Sequence, residues 1–292
     1  MKTTLSLVSR NMRVYYRDRG QVVLSLIAPL ILLLLYVLFL GSLQVDTLKD
    51  EIPTADESDI DAFVYTWVFS GMVMITTVTT GLSALNTFVE DRIFGRFKDF
   101  RVSPISPVQL VGGYLIASFL IAFAMSLIVF AVGQVVVSLL YDAFPGWLNI
   151  IASIGYTALM CLGFSAISSL VVTFIRSSGA FTSLSVIVGT IVGFLAGAYI
   201  PAGTMSEGVV SVLNTLPFAQ SAMLLREPLA GGALERLTDG LPGADETIAT
   251  YFGFELSVGD VEITTGIVVA ILLGITLVCG ALGALRMRKS VS

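Results

Sequence analysis

The sequence predicts an all-α, polytopic membrane protein: six transmembrane helices, an N-terminal amphipathic interfacial helix, and short outer helices between spans five and six. Three observations carry this. Apolar residues make up 55% of the 292-residue chain and charged residues only 13%, about half the charged share of a soluble domain. Apolar runs long enough to cross a hydrocarbon core as a helix recur along the chain, and mean hydropathy is +0.91. The remaining charges separate by sign between alternate loops.

Residues 1–20 come first. Leu5, Val8, Met12 and Tyr15 fall on one helical face, and Arg10, Arg13 and Arg17 on another, the pattern of a helix lying in the inner interface. The spans follow at 22–43, 64–88, 108–140, 147–175, 180–200 and 263–285. The first is longer than a signal-peptide core and lacks a cleavage site. Pro29 within it predicts a kink or a late start. The third and fourth are long enough to tilt. The acidic stretch Gln44 to Ala62 reads as a solvated connector. The segment 201–262 reads as extracellular: two short apolar helices broken at Pro217, then a Gly- and acid-rich loop from Gly231 to Asp260.

Basic residues orient such a bundle. With the N-terminus in the cytosol, 13 of the 16 Lys and Arg fall on inner segments and 17 of the 21 Asp and Glu on outer ones. The inner face then carries +9 and the outer face −14, which together give the chain's −5. An odd number of spans spoils this partition. Both termini are expected in the cytosol and the protein in the plasma (inner) membrane. The acidity belongs to the outer loops and argues against nucleic-acid binding.

The chemistry of the spans is spare. None of the six holds a charged residue at depth, where ion-coupled carriers place one. Thr76, Thr77, Thr79 and Thr80 are hydroxyls that can bond their own helix or line a weakly polar path. Gly189, Gly193 and Gly197 form a row at spacing four, suited to close helix approach within the bundle or across a dimer. There is no His, no metal-ligand cluster, no phosphate loop and no CxxC. Cys161 and Cys279 lie in apolar runs and read as packing residues. No catalytic residue and no cofactor bound by this chain are expected. Energy for work against a gradient has to come from another chain. The alternative is a self-contained secondary carrier or channel, which the missing intramembrane charge and the absence of an inverted repeat disfavour.

One island between spans two and three, EDRIFGRFKDFRVSPISP from Glu90 to Pro107, cannot dissolve in lipid. It reads as a short interfacial helix, weakened at Gly95 and ended at Ser103-Pro104. On that helix Ile93, Phe97 and Phe100 share a face.

At these residues the chain resembles the membrane subunits of ABC-2 type transporters, over nearly its whole length. The resemblance rests on the basic amphipathic helix, on six spans with both ends inside, and on the E-x4-G pattern of Glu90 and Gly95 followed by SPIS-P. It also rests on FLAGAYIP…LPFAQSAMLLR, which places Pro201, Pro217, Phe218 and Arg226. Gln220 departs from the family's pattern. The resemblance implies that 90–103 is a coupling helix docking into a cytosolic ABC ATPase subunit that holds ATP and Mg. Glu90, Arg92, Gly95, Arg96, Phe97, Phe100 and Arg101 are then the docking residues, with Phe as anchors and charges setting register. It further implies a permease subunit of an ATP-driven exporter of lipophilic drugs, peptides or lipids, and a homodimer or a pair with a related permease. Substrate is expected to pass near spans two and five.

Overall fold

The computed structural model describes residues 2–36, 39, 41–103 and 105–291. The basic amphipathic helix forms as expected: α1 (Lys2–Arg17) buries Leu7, Val8, Asn11 and Tyr15 and leaves Arg13 and Arg17 exposed. Next come α2 (Arg19–Leu35) and α3 (Gly41–Glu51). The predicted first span maps onto α2 and the start of α3, with Val37, Leu38 and Leu40 outside the described residues. With 17 residues, α2 is slightly shorter than the other span-like helices.

The centre of the bundle is α4 (Glu57–Ala84), continued through Leu85 into α5 (Asn86–Ile93). Together they make a 37-residue span-like element. Nearly every side chain from Ile60 to Ala84 is buried, because α2, α3, α7 (Pro107–Tyr141), α8 (Trp147–Val172), α9 (Ser178–Leu195) and α11 (Pro217–Thr238) all pack around it. Hydroxyls on this crowded helix donate to carbonyls three or four residues back, as Thr66, Ser70, Thr76, Thr77 and Thr80 do. A buried hydroxyl otherwise needs a partner from another helix.

Local sequence fixes the ends. Ser106 and Gln109 form a reciprocal capping box with Pro107 at the first helical position, which starts α7. Ser177 accepts from the Ala180 amide to start α9. The last helix, α13 (Thr265–Val291), lies along α8. Among the described residues, five helices are long and apolar enough to cross a membrane. A sixth follows if the bent pair α10 (Glu207–Thr215) and α11, joined at 85°, counts as one span.

Two stretches differ from the sequence expectation. The Gln44–Ala62 connector is largely helical, because Val45 and Leu48 fall on one face of α3 and pack on α4. The Gly231–Asp260 loop is mostly ordered: α11 runs through Gly231–Gly232 to Thr238, α12 spans Ala244–Phe252, and a short hairpin pairs Ser257 with Glu262. Aromatic packing explains the order. Phe252 sits edge-on to Phe63 and Trp67, and the Trp67 indole donates to the Phe252 carbonyl at 2.8 Å.

Close packing of α7 on α4 yields a test. A methyl group at Gly133 would sit 2.3 Å from Cε2 of Phe69, whereas one at Gly155 meets nothing within 4 Å. Gly133→Ala is expected to lower the melting temperature in detergent, with an overpacking cost of about 1–3 kcal/mol. Gly155→Ala is expected to leave it unchanged or raise it, since alanine is the better helix former.

Candidate functional site

The island is organised by one carboxylate. Asp91, in the last turn of α5, is 0% exposed. Arg10 of α1 reaches it with both guanidinium nitrogens, at 2.5 and 2.9 Å. Arg96 donates to the same carboxylate at 2.9 Å and the Tyr114 hydroxyl of α7 at 2.5 Å. Four segments therefore meet at one buried acid. The forked guanidinium of Arg10 matches a carboxylate in a way lysine cannot. The hydrogen bond to Asp91 holds the Arg10 pKa above its ordinary value, against the opposing effect of its partial burial.

The island is not one helix. Gly95 adopts a left-handed conformation (φ +71°) between α5 and α6 (Phe97–Arg101), a backbone state that favours glycine. That turn changes which side chains face out. Phe97, expected as an anchor for a partner, is only 6% exposed and packs on Phe88, whose ring also meets Tyr114. Phe100 is half-buried beneath the Arg10 guanidinium. The residues that project are Phe94, 65% exposed, and Val102, 90% exposed, with Arg96, Lys98 and Asp99 around them. Arg92 turns inward and donates to the carbonyls of Thr173 and Ile175, just beyond the end of α8. Glu90 accepts from Asn86. The side chain of Arg101 lies outside the described residues, as does Pro104 of the SPIS-P motif.

Beside the island a cleft of about 700 Å³ opens between α2, α4 and α9. Gln21, Ser83, Asn86 and Thr182 line its island end, and Pro29, Met72, Gly189 and Tyr199 its far end. From Asn86 to Met72 it follows about 20 Å of helix. Its walls carry hydroxyl, amide and apolar groups and no charged side chain. Of the four threonines singled out in the sequence, Thr76 and Thr79 line it, whereas Thr77 and Thr80 do not and are buried in helix packing.

The glycine row is also divided. Gly189 lines the cleft, Gly193 makes room for the ring of Tyr199 in the same chain, and Gly197 (φ +59°) lies beyond the helix in the reversal that follows α9. Pro201 begins a 3-10 turn. Pro217 begins α11, and Phe218 stacks on Phe164 of α8. Gln220 donates to the Asn214 carbonyl and ties α11 to α10. Arg226, placed outside the bilayer by the charge partition, is 2% exposed in the body of α11.

The long apolar helices define a multi-pass membrane protein. A family model described as ABC-2 type transporter matches residues 3–227, well over half of the chain, and the chain belongs to that family. Its membrane domain is the permease component of an ABC transporter. No curated protein matches the chain.

The Asp91 node yields an asymmetric prediction. Arg10→Met leaves a buried carboxylate with one fewer cation, a class of change that costs about 3–5 kcal/mol when the pair is fully buried and less here, because Arg10 is partly exposed. Arg13 bonds only the neighbouring Ser9 among the described residues. Arg10→Met is expected to lower the melting temperature clearly, and Arg13→Met to leave it within error.

Proposed function

We propose that the chain is the membrane-spanning subunit of an ATP-driven exporter, paired with a separate cytosolic ABC ATPase that carries ATP and Mg. The observation that carries this reading is the surface of the island. Phe94 and Val102 stand out among Arg96, Lys98 and Asp99, on a loop braced from behind by Asp91. Apolar side chains ringed by charge are what a partner's pocket grips. The brace gives the grip something to move: α1 through Arg10 and α7 through Tyr114. The charge partition places this end in the cytosol, with both termini.

In this reading Arg96 faces the partner and Asp91 at once. Gly95 sets the turn, Arg92 anchors the loop to α8, and Phe97 and Phe100 act from inside as the loop's own core. ATPase closure pushes the loop, and the push reaches the cleft because α4 and α5 are one continuous helix. The cleft is the translocation path. Its hydroxyl, amide and apolar walls suit an amphiphile without net charge, in the class of lipophilic drugs, peptides or lipids. The permease works as a pair. The lipid-side face of α9, with Val186, Ile187, Ile191 and Phe194 exposed, is where a second copy or a related permease closes the cleft.

Co-purification with the ATPase tests the docking surface. The pair Phe94→Ala and Val102→Ala is expected to reduce recovery of the ATPase at least about tenfold, the loss of more than 1.4 kcal/mol, while insertion and melting stay normal. Unchanged recovery sinks the assignment. In the cleft, Thr79→Val and Thr76→Val are expected to change which amphiphiles stimulate ATP hydrolysis, and Thr77→Val to leave the stimulation profile unchanged. Equal effects from all three would remove the cleft as the path.

A further inference from the structure

Arg226 is a buried cation without a carboxylate among its described partners. One terminal nitrogen donates to the Gly253 carbonyl at 2.7 Å. The other donates to the Ala196 and Gly197 carbonyls, at 3.0 and 2.7 Å. The guanidinium lies over the Trp67 ring at 5.6 Å, and its Nε has no hydrogen-bond partner among the described residues. Ala196 and Gly253 are the caps that end α9 and α12, so two helix C-termini point their carbonyl ends at one positive charge. The fit is close: a methyl group at Gly253 would sit 2.4 Å from the guanidinium.

The turn that Arg226 grips also leads into Tyr199, which lines the cleft. After Gly197 the chain doubles back, and the amides of Ala198 and Tyr199 both donate to the Gly193 carbonyl. This brings the Tyr199 ring onto Gly193 and into the cleft. Tyr36, just past the end of α2, donates its hydroxyl to the Tyr199 and Ala198 carbonyls, and Ala198 packs on Gly71 of α4. Arg226 holds this turn from behind and ties it to the end of α12.

We propose that Arg226 is a positioning residue for the translocation path: it holds the Ala196–Tyr199 turn so that Tyr199 closes the cleft, and the path opens when its three carbonyl bonds part. The inference rests on the cleft being the path. The energetics suit a joint that opens and recloses. An apolar contact loses its stabilisation when water enters, but a buried guanidinium without a counter-ion regains hydration. Its bonds to uncharged carbonyls hold geometry while keeping the closed and open arrangements close in free energy.

The test reads the turn directly. A reporter cysteine replaces Met72, which lines the cleft below Tyr199, in a chain carrying Cys279→Ser; the native Cys161 is buried. A membrane-impermeant thiol reagent is added to vesicles on the side opposite the island. Arg226→Gln is expected to raise the labelling rate at least about tenfold, as loss of a charged hydrogen bond implies. Arg226→Lys, which keeps the charge but cannot fork to carbonyls on two sides, falls between. A control cysteine at Gln134, in the groove between α7 and α8, is expected to show no change. Unchanged labelling at position 72, or an equal rise at 134, overturns the proposal. If Arg226→Gln does not reach the membrane, Arg226→Lys decides alone: labelling equal to the parent refutes it. Because labelling reads the turn and not transport, a rise in a chain whose cleft variants leave transport untouched upholds the latch and removes the path.

Discussion

The island end of this protein depends on one buried carboxylate. Asp91 has no exposed surface, and its neighbours come from places far apart in the chain: Arg10 from the interfacial helix, Arg96 from the loop beyond Gly95, and Tyr114 from α7. A charge in that position is costly unless paired and hydrogen-bonded, so Asp91 constrains all three partners together. The interfacial helix, the loop and the top of α7 cannot shift independently without stranding it. A loop rich in charge is thereby tied to α1 and α7.

The opposite end of α4 uses a different device. There Trp67 and its aromatic neighbours dock α12, and Arg226 collects carbonyls from two helix ends. Asp91 is held by opposite charge and is built to stay closed. Among the described residues Arg226 is held by carbonyl dipoles and the Trp67 ring, and water competes well for it once the joint parts. Between these ends the cleft carries neutral polar and apolar walls, so the strong electrostatics sit at the ends of the cleft and not along it.

Much of this was legible in the sequence. Composition and apolar run length gave the helical membrane class, because bilayer thickness dictates helix length directly. The island stood out by charge, and the break at Pro217 by chemistry. What periodicity missed had three-dimensional causes. Counting helical faces through Gly95 grouped Phe97 with Ile93 and Phe100, and the resemblance made it a docking anchor; the left-handed turn at Gly95 sends it into the core and leaves Phe94 and Val102 to project. The Asp91–Arg10 pairing spans 81 positions, and nothing local announces it beyond an acid in a basic loop. Arg226 read as an outer-loop cation because short flanking helices look exposed in one dimension. In the structure α11 packs against α4 and buries it. Thr79 and Thr77 were indistinguishable by composition, and only the packing of α9 and α2 against α4 decides which one faces the cleft.

The central claim is that Asp91 makes the interfacial helix and the docking loop a single moving body. Spin labels at Leu5 on α1 and Val102 on the loop, both exposed, measure this directly in the permease–ATPase complex. The account predicts that the Leu5–Val102 distance distribution is the same in the nucleotide-free and ATP-trapped states, and broadens when Asp91 is replaced by Asn. A distance that changes between those states while Asp91 is intact would contradict it.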